Sequence, residues 1–150
     1  MRVLQMLVLS TLTLGWAAQA VADTTTTPPK VCAFWKGVTR AVTHSNGGNA
    51  NLYLELQYDL VTSTARLVDH RTTTPVEKSK KLTPEAHRPL ANGLATVCPT
   101  DAQIKAMCAP GGCLKLVLTR PDGFTEIQDH EVAGAVQKIL ASLFPELKGF

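Results

Sequence analysis

A strict alternation of apolar and polar side chains between Leu52 and Leu60 constrains the fold of this chain more than any other feature. Leucines and one tyrosine occupy every second position, and polar residues or a second tyrosine fill the positions between them. Successive side chains of a strand point to opposite faces, so this period of two predicts a strand with one buried face and one face in water.

The segments on either side of this strand also carry strand and turn signals. Residues 31–44 are rich in valine, threonine and aromatic residues, which predicts a first strand. One face of that strand is expected to hold Cys32, Phe34, Val38 and Val42. Residues 46–49 form an Asn-Gly-Gly-Asn turn signal, and 65–71 predict the third strand of an antiparallel meander. Residues 72–81 are polar and without periodicity, so we interpret them as an exposed connection.

Two helices are expected in the middle of the chain. Thr83 can cap a helix that has Pro84 in its first turn, and Pro89 is expected to kink that helix, with Leu90, Leu94 and Val97 on the second piece. Thr100 and Gln103 fit a capping box. The short helix that follows is expected to present Ile104, Met107 and Cys108 on one face.

The last part of the chain predicts a hairpin and a final helix. Strands at 113–119 and 124–129 flank a Pro-Asp-Gly turn, in which proline presets φ and glycine accepts a positive φ. Asp129 can cap the helix. The helix carries an apolar stripe formed by Val132, Val136, Ile139, Leu140 and Leu143.

Together these elements predict an α+β fold. A β-meander and a hairpin build an antiparallel sheet, and helices pack on one face of it. The final helix and the leucine face of the second strand each need an apolar partner, so we expect them to pack against each other.

The N-terminus predicts export. Arg2 precedes an apolar stretch, and alanines at every second position from Ala18 to Ala22 form a signal-peptidase site, so residues 1–22 are interpreted as a cleaved signal peptide. The alternative, an uncleaved anchor, is disfavoured because the apolar stretch is shorter than the roughly 20 residues that span a bilayer. A threonine-rich leader at 23–30 and one domain at 31–150 follow. The protein is expected to be secreted or periplasmic.

Four cysteines remain after cleavage. An even count in an exported chain predicts two disulfides, and three pairings are open. We favour Cys32–Cys98 together with Cys108–Cys113, because a Pro-Gly-Gly spacer can bring the last two cysteines together. A zinc site is the alternative, but the cysteine spacing fits no standard set of zinc ligands.

Charge and motifs exclude several classes of function. Without residues 1–22 the chain has 14 basic and 12 acidic residues, a net charge of +2. That is too small to indicate a nucleic-acid or anionic membrane partner. The only basic cluster, Lys78, Lys80 and Lys81, is interpreted as a solvated loop.

No catalytic, metal or cofactor-binding residue is assigned from the sequence. The four histidines, His44, His70, His87 and His130, show no zinc-ligand spacing. The serines lie outside any nucleophile motif, and no glycine run fits a phosphate loop. Glu55 and Asp59 share a strand face, where alternating acids are usually just solvated.

The candidate binding surface is the polar face of the second strand. Trp35, Tyr53 and Glu55 are expected to share the sheet face opposite the leucines, and exposed aromatic residues can anchor a partner. In topology alone, the layout resembles small bacterial exported proteins, some of them enzyme inhibitors. We therefore expect a disulfide-stabilised domain that binds a protein partner, with inhibition of an extracellular enzyme as one form of that function. A small hydrolase using histidine and carboxylates, or a structural protein of the cell envelope, are the alternatives. The sequence leaves the oligomeric state open.

Overall fold

The computed structural model describes residues 32–46, 53–109 and 112–147 of the chain. In these ranges six strands form one antiparallel sheet with the spatial order β4-β3-β2-β1-β5-β6. They are β1 (Arg40–Asn46), β2 (Tyr53–Asp59), β3 (Thr64–Asp69), β4 (Val76–Lys81), β5 (Cys113–Arg120) and β6 (Gly123–Ile127). The first four strands are a meander, β5 and β6 are a hairpin, and the pairing of β1 with β5 joins the two.

One face of the sheet, here called the inner face, carries the core. Leu56 of β2 lies opposite Thr43 of β1 and Leu67 of β3, and Thr43 lies opposite Leu116 of β5. Residues directly opposite each other in an antiparallel pair share a face. These four side chains are fully buried, so the leucine face of β2 predicted from the alternation is confirmed.

Three helices supply the covering layer. They are α1 (Pro84–Ala95), α2 (Asp101–Lys105) and α3 (His130–Ala141). Leu94 of α1 and Val136 of α3 are fully buried in the core, and Ile104 of α2 packs against it. The Thr83 cap, the Thr100–Gln103 capping box and the Asp129 cap are all confirmed. The α+β fold with helices packed on one face is therefore as expected.

The start of the domain differs from the expectation. Residues Ala33–Trp35 form a 3-10 turn, and the first strand begins only at Arg40. Gly37 between them has a φ of +74°, which ends the turn in a conformation that favours glycine. Because of this register the inner residues of β1 are Ala41 and Thr43, so Val42 faces the other way and was assigned to the wrong face. Val38 is buried in the core as expected, and Cys32 and Phe34 pack against it.

Residues 76–81 were also misassigned, because they form the edge strand β4. Every residue of β4 is paired with one of β3, from Val76 opposite Asp69 to Lys81 opposite Thr64. An edge strand needs no continuous apolar face, and lysines on an edge discourage pairing with another chain. Because most residues of this segment are charged and no apolar residues alternate in it, the sequence pattern did not predict a strand here.

Two helical details differ as well. The first helix runs through Pro89 without a break and ends at Ala95, so Val97 lies beyond it. Pro89 is exposed, and a proline inside a helix lacks the N–H that would donate to the carbonyl four residues earlier. The short helix α2 ends at Lys105, which leaves Met107 outside it with 84% of its surface exposed.

The two expected disulfides are present, Cys32–Cys98 and Cys108–Cys113. They fit an extracellular protein, because disulfides persist in oxidising compartments. None of the helices in the described ranges is long and apolar enough to cross a membrane. The interpreted signal peptide and leader, and the turn after Asn46, fall on residues outside the described ranges.

Candidate binding face

The face of the sheet opposite the helices, here called the open face, is defined by the strand register. On β2 it carries Tyr53, Glu55, Gln57 and Asp59, which alternate with the buried Leu54, Leu56 and Tyr58. His44 of β1 lies directly opposite Glu55, so it shares this face. The buried side chains of α1 and α3, and the partly buried Ile104 of α2, pack in or against the core on the inner face, so these helices lie on the other side of the sheet from the open face.

Three rings stack in a row on the open face. The centroid of the Tyr53 ring lies 5.2 Å from that of His44 and 4.5 Å from that of His70, with interplanar angles of 22° and 16°. The backbone N–H of His70 donates to the carbonyl of Tyr53 at 2.8 Å and fixes the residue beside the strand. We call His44, Tyr53 and His70 the ring row. All three side chains remain partly exposed.

Glu55 lies at the border of the ring row. It is next to His44 across the β1–β2 pair and next to Val68 across the β2–β3 pair. Val68 is a buried residue, only 5% exposed, that lies outside the core cluster of the inner face and opposite Glu55. A carboxylate, an apolar side chain and three rings therefore adjoin one another.

The remaining charges of the open face are mostly paired. They form the ion pairs Arg40–Asp59, Arg66–Glu77 and Lys115–Glu126, with nitrogen–oxygen distances of 3.8, 3.3 and 3.2 Å. The pKa of Glu126 is lowered, first by the hydrogen bond from Gln128 and then by that from Lys115. Each of these three pairs joins one positive and one negative charge, so the pairs add no net charge to the open face.

Trp35 does not belong to this face, and the expectation that it would was wrong. Its side chain is 8% exposed and lies in the core, where its indole N–H donates to the carbonyl of Val97 at 2.7 Å. The reason is the 3-10 turn, which places Trp35 outside β1 and beside the end of α1. Of the three residues proposed as a binding surface, the structure brings Tyr53 and Glu55 together and removes Trp35.

The carboxylates of β2 are not arranged as a catalytic pair. Asp59 accepts hydrogen bonds from the backbone N–H groups of Val61 and Thr62, at 3.0 and 2.8 Å. The bond from Thr62 is the main reason that the pKa of Asp59 is lowered. Asp59 thus holds the β2–β3 turn, whereas Glu55 remains beside the ring row.

The histidines are distributed over both sides of the sheet. His70 is in the ring row, but His130 is the first residue of α3 in the helix layer, so the cleft that a hydrolase would need is not formed by these two. His87 of α1 shares a hydrogen bond with the hydroxyl of Tyr58, with 2.5 Å between oxygen and Nδ1. Burial raises the pKa of Tyr58. The hydrogen bond between Tyr58 and His87 connects α1 to strand β2.

Within the described ranges no group of three or more metal-ligating side chains comes together. The ring row itself was not predicted from the sequence, because its members are far apart in the chain and His44 and His70 were considered singly. The alternation of polar residues indicates which side chains share a face of each strand. It does not show which of them are neighbours across strands, because that depends on the register.

Comparison with known proteins gives no assignment. No known protein family matches this chain, and no curated protein is significantly similar to it. The fold and the geometry of the open face therefore carry the functional argument.

Proposed function

We propose that this protein is an exported, secreted or periplasmic, disulfide-stabilised binding domain that captures a protein partner on the open face of its sheet. The observation that carries the proposal is the ring row with Glu55 at its border. Tyrosine is enriched among the residues that dominate binding energy, because it presents a large rigid surface with a polar end.

The stacking also prepares the site for binding. Tyr53 lies between two imidazole rings, at 5.2 and 4.5 Å, so its side chain is already held in place. A group that is ordered before binding loses less conformational entropy when a partner arrives. The three partly exposed residues carry imidazole nitrogen atoms and one hydroxyl, groups that can form hydrogen bonds with a partner.

The charge pattern favours a protein surface as the partner. A basic stripe is the mark of a nucleic-acid site, whereas Arg40, Arg66 and Lys115 of the open face are each paired with a carboxylate. Mixed, paired charges around a less polar centre are typical of protein interfaces. An inhibitor of an extracellular enzyme is one form that such a binding domain takes.

The test is capture from the secreted or periplasmic fraction of the source cells. The parent protein, Tyr53→Ala and Glu55→Ala are immobilised, and captured proteins are identified by mass spectrometry. Affinities are then measured with the purified partner. We expect Tyr53→Ala to weaken binding by about tenfold or more, as for an interface hot spot, and Glu55→Ala to weaken it without altering the thermal melt.

The matched control is Asp122→Ala. Asp122 is an exposed carboxylate in the β5–β6 turn, at the end of the sheet opposite Tyr53. Its removal should leave the affinity unchanged. If Tyr53→Ala binds the same partner as tightly as the parent does, or if Asp122→Ala loses affinity equally, the open face is not the binding site.

A further inference from the structure

The ring row is surrounded by ion pairs that are neutral as a whole. They are Lys115–Glu126, Arg66–Glu77 and Arg71–Asp69, with nitrogen–oxygen distances of 3.2, 3.3 and 2.9 Å. Lys115 lies directly opposite His44 across the β1–β5 pair, and Asp69 and Arg71 flank His70 in the chain. The charged side chains on both sides of the two histidines are therefore balanced by partners of their own.

Glu55 is the carboxylate that is not balanced in this way. Among the residues that the structure describes, it belongs to none of the ion pairs. Its side chain is partly exposed and lies directly opposite His44. While both imidazoles are neutral, Glu55 supplies the only charge of the group, so the ring row and Glu55 together carry one net negative charge.

Acidification reverses the sign of this charge. An imidazole ordinarily takes up its proton between about pH 8 and pH 5, whereas a glutamate side chain ordinarily remains ionised at about pH 5. With a proton on both His44 and His70, two positive charges stand against the single negative charge of Glu55. The ring row and Glu55 then carry one net positive charge.

The hydrogen-bonding character of the group reverses with its charge. An ionised carboxylate only accepts hydrogen bonds, a tyrosine hydroxyl can accept one, and each neutral imidazole keeps one acceptor nitrogen. Glu55, Tyr53 and the two histidines are all partly exposed, so a donor can approach them from solvent. A protonated imidazole has two donors and no acceptor, which removes two of these acceptors.

Protonation also supplies an internal cation for Glu55. His44 and Glu55 are direct cross-strand neighbours, and opposite charges at such positions attract each other. A protonated His44 therefore competes with any external cation for the carboxylate of Glu55. Lys115, on the other side of His44, is already paired with Glu126.

We propose that the ring row and Glu55 bind an arginine side chain of the partner, and that protonation of His44 and His70 releases it. A guanidinium is a cation with five N–H donors and no acceptor, so it complements a site that has one net negative charge and several acceptors. Arginine is also enriched among the residues that dominate binding energy. The arginine belongs to the partner of the proposed function, on which this assignment therefore rests.

Two capped tripeptides are the probes, Ac-Gly-Arg-Gly-NH₂ and the same peptide with neutral citrulline in place of arginine. Each is titrated into the disulfide-bonded, ¹⁵N-labelled protein at about pH 7.5 and about pH 5, at one ionic strength, while the amide resonances are followed by NMR. At the higher pH we expect saturable shifts at Tyr53, Glu55 and His70 with the arginine peptide, and about tenfold or more weaker binding of the citrulline peptide. At the lower pH the affinity of the arginine peptide should fall by about tenfold or more.

Variants separate the charge of Glu55 from the protons of the histidines. Glu55→Gln keeps the shape of the side chain and removes its charge, so the affinity for the arginine peptide at the higher pH should fall by about tenfold or more. The double variant His44→Gln/His70→Gln keeps hydrogen-bond acceptors at both positions but cannot take up protons there. Its affinity for the arginine peptide should therefore be the same at both pH values, and a thermal melt shows that each variant is folded.

The matched controls are His130→Gln, an exposed histidine of the helix layer, and Asp122→Asn, an exposed carboxylate at the other end of the sheet. Both should bind the arginine peptide as the parent does at each pH. Equal affinities for the two peptides, or a double variant that still loses affinity at the lower pH, would overturn the proposal. Neither result removes the proposed function, because capture of a partner is tested separately with Tyr53→Ala.

Discussion

At the scale of single residues, two tyrosines of one strand have opposite roles. Tyr58 is fully buried, and its hydroxyl is held by His87 of α1. Tyr53 is on the open face between His44 and His70. Five positions separate them, an odd number, so the alternation of the strand places them on opposite faces. One tyrosine connects the sheet to the helix layer, and the other is a partly exposed member of the ring row.

This difference predicts the result of removing each hydroxyl. Tyr58→Phe deletes the hydroxyl that shares a hydrogen bond with His87 and should lower the free energy of unfolding by about 1 kcal/mol. Tyr53→Phe is the same substitution on the open face and should change it by less than about 0.5 kcal/mol. Urea melts of both variants at neutral pH make the comparison. Equal stabilities of the two variants would mean that the Tyr58–His87 bond contributes nothing.

Sequence reasoning identified the face of each β2 residue but not its partners. The alternation placed Tyr53 and Glu55 together on the polar face, because a strand has only two sides. Trp35 was assigned to the wrong face. The 3-10 turn that contains it is only three residues long, so it produces no regular apolar pattern from which its burial could be predicted. The His87 contact and the ring row depend on which strands and helices become neighbours, and that is set by tertiary packing rather than by local pattern.

At the scale of elements, the packing of α3 on the sheet shows how the apolar faces of a helix and a strand determine which elements pack together. Its first backbone N–H groups are capped by Asp129, whose carboxylate accepts from Val132 at 2.9 Å. Val132, Val136 and Leu140 then recur every fourth residue and are all buried. The helix contacts β5, β2 and β1, so the expected packing on the leucine face is confirmed. By contrast, β4 was missed because an edge strand needs no apolar face, and four of its six residues are charged.

The packing of α3 predicts a large effect for one truncation. Leu140 is 1% exposed within the core, and Leu140→Ala should lower the free energy of unfolding by about 2–5 kcal/mol through lost burial and the remaining cavity. Lys138→Ala, at an exposed position of the same helix, should change it by less than about 0.5 kcal/mol. Denaturant melts measure both values. A Leu140→Ala protein as stable as the parent would contradict the packing of α3 on the sheet.

At the scale of the whole molecule, the two disulfides differ in how much chain they enclose. Cys32 and Cys98 are separated by 66 residues and join the segment before β1 to the end of α1. The N–H of Cys32 also donates to the carbonyl of Ala95 at 3.0 Å. Cys108 and Cys113 are separated by only 5 residues. The first disulfide therefore restrains the fold, and the second restrains a loop at the start of β5.

This difference in loop length predicts unequal losses of stability. In the chain-entropy account a disulfide stabilises by restricting the unfolded chain, by about 4 kcal/mol for the long loop and about 2 kcal/mol for the short one. The double variant Cys32→Ala/Cys98→Ala should thus be less stable than Cys108→Ala/Cys113→Ala by about 2 kcal/mol. Urea melts of the two variants, with the oxidised parent as reference, measure the difference. If the short-loop variant is the less stable one, the Cys108–Cys113 bond supports the β1–β5 junction through native contacts, since Cys113 lies opposite Asn46 there.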